Sequence, residues 1–238
     1  MRIEDVPLGA RIDTRNPNRD ELMVQDEPDS ATWVRAVVKV IDDSRTIVAE
    51  ILRPGYKFRD LLPGDTIELE MAELGIEGTG IILELDACPP RAEEPGEVVT
   101  GRFVTKDVDD LVQLTLPEGE TLTGTPSHPL WSVNHNTWQC MADLVAGDEL
   151  LGKDGPVAIL EAKHIYDIVD VVNLEVHREH VYAVTTHGVL VHNNTLAELC
   201  AKLKEVQEAA IKEADPSKQK ALLDQAKKLE EQLDTVAS

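Results

Sequence analysis

A mainly β body followed by a helical pair is the fold class this sequence predicts, on three observations. Val, Ile and Leu alternate with polar residues along most of residues 32–192, the period of half-buried strands. Turn residues interrupt those runs about every eight to twelve positions, the spacing of short strands in a sandwich or barrel-like body. From Thr195 the apolar period lengthens to between three and four, which is helical.

The elements follow in order. "TWVRAVVKVIDDSRTIVAEILR", 32–53, reads as two strands separated by the turn-like Asp42-Asp43-Ser44. "PGDTIELEMAELGIEGTGIILELDACPP", 63–90, offers two more runs around Gly78 and Gly80. Cys88 to Glu97, rich in Pro and Glu, reads as a linker or long loop. "GEVVTGRFVTKDVDDLVQLTLPEGETLTGTPSHPLW", 96–131, gives at least three strands, with Pro117 to Glu120 as a hairpin turn. "GPVAILEAKHIYDIVDVVNLEV" and "HVYAVTTHGVLV" continue the alternation up to Val191. In the tail, Leu196, Leu199, Leu203, Val206 and Ala210 line one helical stripe, and Leu222, Ala226, Leu229, Leu233 and Val236 a second. Pro216 opens the second helix, where its missing N–H costs nothing. A helical hairpin or coiled-coil pair is expected over 194–238.

Composition narrows the function. A formal net charge of −22 over 238 residues repels a phosphate backbone and an anionic membrane surface, so neither nucleic acid nor membrane is expected as a partner. Cys88, Cys140 and Cys200 are far apart, without a CxxC or zinc spacing; no metal and no cofactor is expected. No apolar run is long enough to span a bilayer, and "MRIEDVPLGARID" lacks the apolar stretch of a signal peptide. As written, the chain has no address beyond the cytoplasm.

The chemistry concentrates at "HVYAVTTHGVLVHNNT", where alternation stops at two asparagines. An Asn side-chain amide nitrogen that attacks its own main-chain carbonyl breaks the following peptide bond and leaves a C-terminal succinimide. The route is slow unaided: it needs a donor for the oxyanion, an acid for the departing nitrogen and a fixed geometry. A histidine before the Asn, with another from an adjacent strand, has the chemistry for those roles. A His-Asn pair alone is a weak signal, and an Asn at a strand end is also simply a good turn residue.

The surroundings carry more. "VVNLEVHREHVYAVTTHGVLVHN", Val171 to Asn193, resembles the C-terminal block of the Hedgehog/intein (Hint) superfamily. "GTPSHPLW", Gly124 to Trp131, resembles its Thr-x-x-His block, with Thr125 and His128 on the two functional positions. "TWQCMADLVAGDELL" resembles its W…A…L…GD.L segment, and "RIEDVPLGARI" a strand near the family's start, with Ala10 where Asp is usual. The flavour is similar to Hint domains of planctomycete polymorphic-toxin-like proteins.

The resemblance implies a Hint-type horseshoe β fold over 1–22 and 97–193, a β-rich insertion over 23–96, and the helical tail as payload or remnant. It implies Asn193 as the cleaving nucleophile, His192 as oxyanion donor or acid toward the leaving amine, and His180 as general acid or base. Thr125 and His128 polarise an upstream scissile bond in the family, or hold the centre of the fold. Asn173 stands where inteins often carry Asp or Cys. His135, His164, His177 and His187 fit no pattern and are expected at the surface. In the family a Cys or Ser nucleophile precedes the first strand; none stands ahead of "RIEDV" here, so splicing chemistry is expected to be lost and asparagine cyclisation kept. The expected substrate is the chain's own C-terminal segment. Two alternatives stay open: an inactive scaffold presenting a helical hairpin, or half of a split system completed by another polypeptide. Export as part of a toxin system is the alternative to a cytoplasmic life.

Overall fold

Alternation decides the strands of the computed structural model, which describes residues 2–14, 17, 27–42, 45–71, 76–179 and 181–192, and in the tail 206, 210, 212, 218–220, 222 and 223. Strand β1 is Arg11–Ile12, followed by β2 (Trp33–Asp42), β3 (Arg45–Pro54), β4 (Thr66–Met71), β5 (Ile76–Ala87) and β6 (Glu97–Val108). Next come β7 (Leu111–Thr115), β8 (Thr121–Gly124), β9 (Pro129–Ser132), β10 (Thr137–Cys140) and β11 (Glu149–Gly152). The body closes with β12 (Gly155–Ala158), β13 (Glu161–Ile165), β14 (Val169–Val176), β15 (Val181–Val184) and β16 (Val189–His192). In β2, Ala36, Val38 and Val40 are buried while Arg35 and Lys39 on the other face are not, as a period of two requires.

The strands form three antiparallel sheets. The largest runs β1-β6-β3-β2-β5-β4, with β14 also paired to β6. A second runs β12-β11-β9-β16-β15, with β10 paired to β9, and the third is β13-β7-β8. The long pair β2–β3, Trp33↔Pro54 to Asp42↔Arg45, joins the rest through β3–β6, Ile47↔Thr105 to Ile51↔Gly101. The first half of the chain is therefore part of the sheet that carries β6 and β14.

Two main cores result. Ala36, Val38, Val40, Ile47, Ala49, Ile51, Ile82 and Phe103 pack together beneath the first sheet. Val99, Leu114, Leu130, Met141, Leu150, Leu174, Tyr182, Val189 and Val191 make the larger one. Both are largely aliphatic, as the scarcity of aromatics requires. Each fully buried Leu such as Leu130 on β9 or Leu174 on β14 contributes about 1.5–3 kcal/mol. A smaller patch of Trp131, Trp138 and Val181, with Leu151 and Leu190, covers the opposite face of the second sheet.

Among the described residues of 97–193 the helical turns are short 3-10 turns, Pro117–Gly119 and Met141–Asp143. Every described tail residue is α-helical, and Gln219 Nε2 donates to Ala210 O at 3.0 Å, a link between the two helical stripes. The loop Cys88 to Gly96 is held against the N-terminal segment, where Ala92 N donates to Gly9 O at 2.9 Å.

Candidate active site

Thr125 and His128 are the ends of one tight turn between β8 and β9. His128 N donates to Thr125 O at 3.0 Å, and Pro126 at the second position presets the turn's φ. Two further backbone bonds fix it from outside: Ala142 N to Pro126 O and Met141 N to His128 O, both 2.9 Å. Pro129 follows His128 and restricts its backbone to extended conformations. Burial lowers the His128 imidazole to about 4. The residue keeps some accessible area while protein surrounds its ring closely, and even a smaller shift in that direction leaves His128 neutral at pH 7.

His192 ends β16 and is 4% exposed. Val189 and Val191 point into the large core; alternation turns His192 to the other face, where its ring stands 5.0 Å from that of Trp138. Trp138 in turn meets Trp131 at 5.3 Å, edge to face. The pairing Val191↔Leu130 joins β16 to β9, and one antiparallel step onward takes His192 toward Pro129, the neighbour of His128. Both histidines thus occupy the same end of paired strands. His180 and Asn193 lie outside the described residues.

The loop before β15 is tied down by charge. Arg178 donates to Glu97 through Nε at 2.9 Å and Nη2 at 3.1 Å, and to Glu27 at 3.2 Å. Glu27 also accepts from Arg11 at 2.7 Å and Arg91 at 2.8 Å. The hydrogen bond from Arg11, with the charges of Arg178 and Arg91, holds the Glu27 carboxyl below the usual range. Arg178 sits at a φ of 69°, a left-handed conformation that disfavours non-glycine residues by about 1 kcal/mol; its paired guanidinium offsets that. On the far side of the loop, Thr14 Oγ1 donates to Val181 O, and Val181 pairs with His192.

Several of these residues carry no signal in the sequence. Thr14, Glu27 and Glu97 lie far from one another in the chain, and no motif marks them as members of a site; Trp138 and Arg178 stand inside motif segments but are not singled out by them as site residues. Asn173 is an acceptor inside the structure: Tyr182 Oη donates to its Oδ1 at 2.8 Å and Leu174 N at 2.9 Å. His177 is 8% exposed and His187 half-buried against Pro117 O at 3.3 Å; both correct the expectation of surface positions. His135 and His164 are exposed. Among the described residues no group of three His, Cys, Asp or Glu is placed to hold a metal.

An antiparallel β body that gathers a Thr-x-x-His turn and a strand-end histidine defines the class. Residues 91–194 match the family model of the pretoxin Hint domain. Over that stretch, less than half of the chain, the protein is similar to that family. Among solved structures it is similar to the bacterial intein-like domain from Clostridium thermocellum, at 20% identity over 68% of this chain and 99% of that one, TM-score 0.37. It is also similar to the TvoVMA intein, at 13% identity over 66% and 80%, TM-score 0.40. The gp41-1 intein is 14% identical over 67% and 98%, TM-score 0.35. No curated protein matches the chain in sequence.

Proposed function

We propose that this domain cleaves its own chain after Asn193 by asparagine cyclisation, releasing the segment from residue 194. The observation that carries this is the placement of His192. The residue preceding Asn193 is buried at the end of β16 with its ring against Trp138, on a strand paired with the one that follows His128.

In the step, the Asn193 side-chain nitrogen attacks its own main-chain carbonyl carbon. A C–N bond forms, the C–N bond to residue 194 breaks, and the attacking nitrogen loses a proton while the departing amine gains one. No water is consumed, so the N-terminal product is lighter by one water than a hydrolytic fragment. His192 serves as the proton donor, and His180 as its partner in acid–base exchange. Neutral His128 and Thr125 hold the centre by hydrogen bonding and packing rather than by charge. The substrate is the domain's own C-terminal segment.

The test is intact-mass spectrometry of the whole chain over days, beside Asn193→Ala. A succinimide-terminated fragment from the first chain and none from the second supports the reading. Two unchanged masses leave an inactive scaffold as the function.

A further inference from the structure

One row of residues crosses the largest sheet on the face turned away from its core. Val172 pairs with Val104, Val104 with Val48, Val48 with Lys39 and Lys39 with Ile81, from β14 through β6, β3 and β2 to β5. Residues directly opposite share a face. Their neighbours along the strands, Phe103, Ala49, Val38 and Ile82, turn the other way into the first core. Val48, Val104 and Val172 are half-buried, and Ile81 is 43% exposed. Ile41, two residues beyond Lys39 and so on the same face, is 64% exposed. Branched aliphatic side chains thus make a band across adjacent strands that is partly open to water, and contiguous bands of this kind mark contact surfaces.

Charge selects what fits on it. The chain carries a formal −22, which sets most of its surface against a second copy. This face is different. Beside the band, Arg35 and Arg102 both bond to Glu50, at 2.6 and 2.7 Å. Arg35 also reaches Glu84 at 2.9 Å and Asp86 at 2.7 Å, and Lys106 pairs with Asp170 at 2.6 Å. Both signs therefore stand side by side across the strands. Lys39, inside the band, makes no ion pair among the described residues, while the Glu84 and Asp86 side chains stay 58% and 59% exposed. A two-fold contact needs a patch that complements itself. An apolar band with a spare cation, flanked by exposed carboxylates, meets that condition.

We propose that this face is a self-association surface: two copies stack it face to face about a two-fold axis, burying the band and giving each Lys39 ammonium an exposed carboxylate of the other copy. Stacked sheets lie about 10 Å apart with their side chains interdigitated, a gap that valine and isoleucine fill. Association of this kind is independent of cleavage after Asn193. It also gives a use to residues 33–87, which supply β2, β3 and β5 to the band.

The test is sedimentation equilibrium of the full-length chain over a concentration series, with thermal midpoints as the check on folding. A reversible dimer is expected for the native chain. Ile81→Asp and Lys39→Glu are each expected to raise its dissociation constant by about tenfold or more, with little change of midpoint. Leu160→Ser, at a 56% exposed side chain between β12 and β13, is expected to leave the constant unchanged. Should Ile81→Asp lower the midpoint, Lys39→Glu decides alone, since it exchanges one long polar side chain for another. A native chain that is monomeric throughout overturns the proposal. So does a dimer that Lys39→Glu weakens no more than Leu160→Ser does.

Discussion

The rings of Trp138 and His192 meet edge to face, their centroids 5.0 Å apart and their planes at 83°. One contact therefore joins the hairpin that follows the Thr-x-x-His turn to the strand that ends at the junction. His192→Ala empties a buried ring's space in this patch. It is expected to lower stability by about 2 kcal/mol, read from urea unfolding, and to slow cleavage by on the order of 100-fold, read from intact mass.

His128 makes stability depend on pH. Burial lowers its imidazole from 6.5 to about 4, so between those values the unfolded chain takes a proton that the folded chain refuses. The contribution is full above pH 6.5 and is lost as pH falls toward 4. At pH 5 the loss is about 1–2 kcal/mol, reduced from the buried limit because the residue keeps some accessible area. Urea titrations at pH 7 and pH 5 are expected to differ by that amount less in His128→Gln than in the native chain.

Arg178 and Glu97 make a two-bond ion pair, with side chains 21% and 11% exposed. Arg178→Gln leaves Glu97 and Glu27 with less compensation, and a loss of about 2–3 kcal/mol is expected. A double-mutant cycle with Glu97→Gln is expected to give a coupling of about 1–3 kcal/mol. Additive effects would mean that the clamp contributes nothing to the loop before β15.

Thr14→Val keeps the shape of the side chain and deletes the hydroxyl that donates to Val181 O. The expected loss is about 1 kcal/mol, with slower cleavage, because Val181 pairs with His192. Thr14→Ser retains the donor and is expected to cleave near the native rate; equal rates for the two variants would remove Thr14 from the site.

Tyr182→Phe removes the donor to Asn173 Oδ1 from a fully buried position. Asn173 keeps the bond from Leu174 N, so the expected loss is modest, about 1 kcal/mol. Hydrogen exchange at β14 is expected to quicken in this variant, and unchanged protection would show that the hydroxyl does not hold the strand.

Much of the body is legible in the sequence. The turn at Pro117 to Glu120, the loop from Cys88, the pair of strands around Asp42 and the end of alternation after β16 all follow from residue period and turn chemistry. The order of the motifs also points to Thr125, His128 and His192. Harder to read are positions whose meaning depends on a distant partner. His177 resembles a surface histidine because it opens the polar, charged run His177-Arg178-Glu179 after the last apolar residue of β14, yet it is buried in the folded chain. Asn173 resembles a reacting position, whereas Tyr182 occupies its oxygen.

The sequence by itself determined which segments alternate, where turns interrupt them, and which family's motifs they carry, because those are properties of residues a few positions apart. Tertiary structure alone decided that Arg178 grips Glu97 across 81 positions and that Thr14 reaches Val181 across 167. It also decided that the face of β16 carrying His192 is the one covered by Trp138. Period sets which side chains share a face of a strand. Which neighbour covers that face is set by sheet order, and sheet order is chosen by the whole core at once.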